Sequence, residues 1–179
     1  MDEKVEIPVV VFVGRSNTGK TTLIERLIPE LVRRGWRVGT IKHNRHGFEI
    51  DHEGKDSYRH RRAGAKVTVL ASPKQIAVIA NAEKDYEISE LISQFIRGVD
   101  IVLVEGFKEN SYPKIELRRS SVPGAPLCQK ADRLLAYVGD VKEGSEEVPF
   151  FHWDEITEIA DLLEGCFGRD RRGSFVDEG

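Results

Sequence analysis

The chain has 179 residues, with 27 Lys and Arg against 30 Asp and Glu, a formal net charge of −3 and 40% hydrophobic residues. That is enough chain for one domain with a sizeable core, and the near-balanced charge excludes a broad basic field for nucleic acid or a membrane surface. No apolar run reaches transmembrane length and no signal-peptide pattern precedes the first strand-like run, so a cytoplasmic protein is expected. The two cysteines, Cys128 and Cys166, match no metal or redox motif and read as free thiols, a disulfide between them being the alternative.

After a polar lead-in, Val9, Val10, Val11, Phe12 and Val13 read as a buried strand. From Gly14 the spacing is G-x-x-x-x-G-K-T, and residues 21–24 open an amphipathic helix. With the strand before it and the helix after it, this pattern is a phosphate-binding loop. Gly14 and Gly19 permit the tight turn that aims successive N–H groups at phosphate oxygens beside a helix N-terminus. The expected nucleotide-binding set is therefore Gly14, Arg15, Ser16, Asn17, Thr18, Gly19, Lys20, Thr21 and Thr22. Lys20 is expected to reach the β- and γ-phosphates, and the Thr21 hydroxyl to hold Mg²⁺.

Leu23, Ile24, Leu27, Leu31 and Val32 recur at helical spacing, with Pro29 expected to kink the helix or divide it. Residues 36–42 read as a second strand, completing a βαβ unit. A polar segment rich in His and acid follows, over residues 43–56, at the strand end where open α/β sheets bind ligands. Residues 57–65 form a short basic helix, and residues 67–71 and 75–80 an antiparallel hairpin. Ile88, Leu91, Ile92, Phe95 and Ile96 mark another amphipathic helix. Residues 100–106 are four consecutive aliphatics ending in Glu105, the pattern of a strand that delivers an acid to Mg²⁺. Two more strands are expected at 114–118 and 134–140, a Pro-containing loop between them, and a helix at 154–163. The fold expected is a three-layer α/β P-loop domain over residues 1–168, its sheet mostly parallel with an antiparallel hairpin insertion. The charged tail, residues 169–179, is expected to be disordered.

Several side chains have both a functional and a plainer reading. His43, His46 and His52 with Asp51 invite a zinc site, but their spacing is irregular and no cysteine joins them. Asp56 stands where a helix N-cap belongs. Arg59, His60, Arg61 and Arg62 are either a solvated face or an anion site; Arg59, Arg62, Lys108 and Lys114 are the candidates for phosphate or pterin contacts. No N-K-x-D guanine box is present. Asp140 is the candidate base contact, with a turn residue as the alternative.

Three phrases beyond the loop are more specific: T-I-K-H at 40–43, G-K-D-S-Y-R-H-R-R-A-G-A at 54–65 and V-L-V-E-G-F-K at 102–108, together with P-K-I-E at 113–116. In this order around the loop they resemble the B protein family of molybdopterin-guanine dinucleotide biosynthesis, over residues 8–165. The resemblance implies a dimeric GTP-binding adaptor with weak GTPase activity and GTP and Mg²⁺ as cofactors. It further implies a nucleotidyltransferase partner that joins GMP to molybdopterin. On that resemblance Lys20 and Asp51 are the catalytic candidates, Asp51 by positioning water, and Thr21 and Glu105 the metal ligands. Arg15 stands where sister families carry a lysine that reaches across a dimer, and is otherwise a solvated side chain. Two alternatives stay open: an ATP-dependent small-molecule kinase or ligase on the same fold, and a binding module without hydrolysis.

Overall fold

The computed structural model describes residues 7–44, 47–107, 109–142 and 147–168. In chain order the elements are β1 (Val9–Gly14), α1 (Lys20–Arg33), β2 (Val38–Lys42), α2 (Asp56–Arg62), β3 (Val67–Ala71), β4 (Ile76–Ala80), α3 (Ile88–Phe95), β5 (Ile101–Glu105), β6 (Lys114–Arg118), β7 (Leu134–Gly139), β8 (Phe150–His152) and α4 (Ile156–Phe167), with a 3₁₀ turn at Lys130–Asp132. The described residues form two compact units: those up to 43 with those from 95 onward, and those within 44–94.

The first unit is a six-stranded sheet in the order β2-β5-β1-β6-β7-β8. Every neighbouring pair in it is parallel. A parallel sheet is buried on both faces, which is why its strands are near-continuous aliphatic runs instead of alternating ones. In β1, Val10 and Phe12 join one core with Leu103, Ile115, Val138, Leu27 and Leu163, while Val11 and Val104, pointing the other way, are equally buried. Helices α1 and α4 pack against each other, and Arg34, just past α1, ties them together. Its guanidinium lies 2.7 Å from Glu30, 2.6 Å from Asp161 and 2.8 Å from Glu164.

Three expectations are corrected. Helix α1 runs without interruption through Pro29; the carbonyl that Pro29 leaves without a helical donor belongs to Glu25, and both residues are exposed, so water can take its place. Strand β2 begins at Val38, because Trp36 turns inward and its indole N–H donates to Glu164 over 3.1 Å. Helix α2 ends at Arg62, since Gly64 takes a left-handed φ of +109°. Strand β8 has only three residues and carried no detectable pattern.

The second unit holds α2 and the antiparallel hairpin β3–β4. Register pairs Val69 with Val78 and Ala71 with Ile76, so Val67, Val69, Ile76 and Val78 share one face, and all four are exposed. Among the described residues, no helix is long and apolar enough to cross a membrane.

Candidate functional site

The site forms where β1, β2 and β5 end together. Gly14 closes β1 at φ +156°; a Cβ there would lie 2.7 Å from the Thr18 hydroxyl and 2.9 Å from the Leu117 carbonyl oxygen, so only glycine lets the loop turn this tightly. Asn17 takes a left-handed φ of +64°, a conformation that asparagine tolerates. The Thr18 hydroxyl donates to the Arg15 carbonyl over 2.9 Å, cross-bracing the loop. Gly19, at φ +91°, caps α1, and the helix opens on Lys20 with its first N–H groups at the loop. Lys20 folds back over the loop, its ammonium 3.1 Å from the Gly14 carbonyl oxygen and 2.9 Å from that of Arg15. A flexible ammonium held by two carbonyls beside a ring of amides is positioned to turn toward an anion.

At the next residue, the Thr21 hydroxyl donates to Glu105, 2.9 Å from each carboxylate oxygen. The two expected metal ligands, 84 positions apart, therefore meet. Register explains how: Lys42 on β2 pairs with Glu105 on β5, and Phe12 on β1 pairs with the same residue. That register also brings in a side chain that the sequence reading did not assign. The Lys42 ammonium lies 3.3 Å from Glu105 Oε2 and donates to the Thr21 hydroxyl over 3.3 Å. Its signal was its position one residue before His43 at the end of β2. A hydroxyl and a carboxylate converging on one point are hard oxygen donors of the kind Mg²⁺ selects, so the residues fit that ion.

The opposite flank of the loop holds a second group that sequence reasoning missed. Arg119, just after β6, donates through Nε to the Thr18 carbonyl over 3.2 Å and lies against Gly19. Its guanidinium carbon is 5.4 Å from the centroid of the Trp153 ring, and that of Arg26 is 5.1 Å from the same centroid. These contacts join α1, β6 and the turn after β8, so no local pattern marks them.

The remaining candidates are placed as follows. Arg15 is not simply solvated: its guanidinium packs on Gly124 and donates to the Ala125 carbonyl over 3.4 Å. Asp140 accepts from the Ser120 N–H over 2.7 Å and from its hydroxyl over 3.1 Å, and the N–H donor chiefly holds its carboxyl below the usual carboxylate range. Both of its oxygens thus serve a turn between β6 and β7. Lys114 is corrected outright as an anion ligand. Buried to 2% exposure, its ammonium donates to the carbonyls of Asn110, Tyr112 and Asp132, which use all three of its protons. Asp51 belongs to the second unit, where it accepts from the Ser57 hydroxyl over 2.9 Å with Arg61 3.7 Å away. Asp56 is not an N-cap but the first residue of α2, Lys55 holding the cap position. Arg59 and Arg62 are exposed on that helix. His43 stacks on Phe107 at 4.2 Å, and no cluster of three metal-ligating side chains exists among the described residues. Lys108, His46 and the tail 169–179 lie outside those residues. Both cysteines are free thiols; burial pushes Cys128 up to about 11.

With this geometry in view, comparison with known proteins decides the family. Residues 9–140 match the family model described as molybdopterin guanine dinucleotide synthesis protein B. The chain belongs to that family. It is 40% identical over 166 residues to the molybdopterin-guanine dinucleotide biosynthesis adapter protein of Escherichia coli, covering 91% of this chain and 95% of the relative. The adapter protein of Haemophilus influenzae is 38% identical over 160 residues, covering 89% of each. The solved structure of Bacillus subtilis MobB superposes with a TM-score of 0.67 at 30% identity, covering 89% of this chain and 99% of that one. The similarity thus extends over nearly the whole length of this chain and of these relatives.

Proposed function

We propose that this chain binds GTP with Mg²⁺, hydrolyses it slowly, and serves in the cytoplasm as an adapter in the attachment of GMP to molybdopterin. The observation that carries the reading is the convergence of Lys20, Thr21 and Glu105 on one loop edge. Lys20 and the loop amides hold the phosphates, and Thr21 and Glu105 hold Mg²⁺, which supplies charge neutralisation on the terminal phosphates. Such catalysis is positioning and electrostatics, with no covalent step asked of the protein. Membership of the synthesis protein B family and likeness to the biosynthesis adapter proteins of E. coli and H. influenzae support the pathway assignment. The partner in this reading is the nucleotidyltransferase that makes the dinucleotide, with molybdopterin as its other substrate. A homodimer is part of the same reading; the exposed apolar face of Val67, Val69, Ile76 and Val78 is the kind of patch that association covers.

Calorimetric titration of the full chain with GTP and with ATP, each with Mg²⁺, tests it. GTP is expected to bind more tightly, and Lys20→Ala to weaken it by about 10- to 150-fold, the loss of one charge-assisted contact. Preference for ATP would replace the adapter reading with a kinase or ligase. Near-normal affinity in Lys20→Ala would remove the loop assignment itself.

A further inference from the structure

The turn that follows Glu105 is strained, and it lies against the end of β2. Gly106 takes a φ of +99° and Phe107 a φ of +49°, so two successive residues are left-handed and only the first is glycine. A bulky residue in that region is an outlier, and it persists only where the surrounding structure holds it. Phe107 is held from two sides. Its ring stacks on the His43 imidazole, with centroids 4.2 Å apart and planes inclined by 29°. Its carbonyl accepts from the Asn110 side-chain amide, whose oxygen in turn accepts the Tyr112 N–H over 2.8 Å.

These contacts surround the ends of the two strands that supply the metal site. The His43 N–H donates to the Glu105 carbonyl over 2.9 Å, and the Gly106 N–H to the Phe12 carbonyl over 3.3 Å. Both bonds lie one step past the register pair of Lys42 and Glu105. The chain closes tightly here: a Cβ on Gly106 would lie 3.2 Å from the His43 carbonyl oxygen and 3.3 Å from the His43 Cβ. Glu105 is thus the last residue of β5 before a turn clamped on the end of β2, and its carboxylate is the one that meets Thr21. Glycine fits a left-handed position without strain, so a phenylalanine there points to a role for its ring.

We propose that Phe107, stacked on His43, is a positioning residue for Glu105: the clamped turn keeps the carboxylate aimed at Thr21, where Mg²⁺ binds. The proposal rests on the Mg²⁺ reading given above. Phe107 touches neither ion nor phosphate; it acts through the backbone of Gly106 and Glu105. Groups that orient a metal ligand without touching the metal cost about 10- to 100-fold in affinity when removed.

The test follows, on the full chain, the Mg²⁺ concentration needed for half-maximal GTP binding by calorimetry, together with urea unfolding without ligand. Phe107→Ala and Phe107→Gly both remove the ring, but only glycine takes the left-handed φ without strain. Phe107→Gly is therefore expected to unfold at higher urea than Phe107→Ala, while both need about tenfold more Mg²⁺ than wild type. At saturating Mg²⁺ both are expected to bind GTP as wild type does, because the phosphate loop is untouched. His43→Ala is expected to raise the Mg²⁺ requirement in the same way, and His43→Phe, which keeps the stack, to restore it.

A requirement within about twofold of wild type in both Phe107 variants overturns the proposal. So does a requirement that recovers in Phe107→Gly along with its stability, since the turn would then serve folding alone. His43→Phe behaving as His43→Ala also overturns it, because the imidazole and not the stack would then matter. Glu105→Gln, titrated beside them, separates the two readings: if it too leaves the Mg²⁺ requirement unchanged, Glu105 holds no metal and the reading beneath the proposal has failed.

Discussion

Replacing Lys42 by Met removes a cation that stands beside the carboxylate proposed to hold Mg²⁺. At 3.3 Å the Lys42–Glu105 attraction amounts to about 5 kcal/mol at an effective dielectric constant near 20 and about 1 kcal/mol in water. The Lys42 side chain is 52% exposed, so solvent screening places its net worth at or below about 1 kcal/mol. A doubly charged ion in contact with the same carboxylate attracts it more strongly than a single charge 3.3 Å away, so Mg²⁺ is expected to displace Lys42. Lys42→Met should therefore change fold stability by no more than about 1 kcal/mol, read from the urea midpoint. At saturating GTP it should lower the Mg²⁺ concentration needed for half-maximal binding by up to about fivefold, that same energy converted. A Mg²⁺ titration followed by calorimetry reads this directly. A higher Mg²⁺ requirement in the variant would mean that Lys42 assists the metal or the phosphates, and an unchanged one that it touches neither; either result refutes the competition argued here.

Glu105→Gln keeps the shape of the side chain but removes its charge, so the Mg²⁺ requirement should rise by at least about tenfold with little change in folding; an unchanged titration would move the metal ligand elsewhere. Glu116, 2% exposed, accepts the N–H groups of Leu127 and Cys128 over 2.8–3.0 Å and faces Arg118 at 3.8 Å. Glu116→Ala should destabilise the chain by about 3–5 kcal/mol in urea unfolding, because the buried Cys128 amide and the part-buried Leu127 amide lose their acceptor and the buried Arg118 its ion-pair partner; a loss under 1 kcal/mol would show that the loop repairs itself. The guanidinium groups of Arg33 and Arg34 hold the Glu30 carboxyl at about 2, below its ordinary 4.5. A depressed folded-state value stabilises above the unfolded value and loses that stabilisation on protonation. The stability difference between wild type and Glu30→Gln should therefore be constant above pH 5 and shrink between 4.5 and about 2. A difference that persists at pH 2 would assign Glu30 a packing role instead.

What was legible in the chain is what depends on contiguous residues. The loop from Gly14 to Thr21 declares itself because phosphate binding by backbone amides needs fixed spacing within one turn. Residues 101–105 declare themselves because a buried parallel strand is an unbroken aliphatic run. The hairpin was readable from two β-branched runs around Ser72 and Pro73. Where sequence reasoning fell short, the deciding partner lay far along the chain. Lys114 reads as a surface cation at the ligand edge until the carbonyls of Asn110 and Asp132 close around it. Trp36 reads as a strand residue until Glu164 receives its indole N–H.

The same distinction accounts for the two flanks of the loop. Thr21 and Glu105 could be paired in advance, since both end in recognisable local patterns and the βαβ rule brings their strands to one edge. Arg119 and Trp153 could not, because each sits just past a strand of ordinary composition and only the sheet order β1-β6-β7-β8 makes them neighbours. The absence of an N-K-x-D box left Asp140 as the one base contact that chain position suggested, and its carboxylate is held by Ser120. A guanidinium packed on an indole needs no motif, since the two meet from any positions that the sheet order brings together. The phosphate loop is therefore written locally, while the Arg119–Trp153 contact is written in the topology.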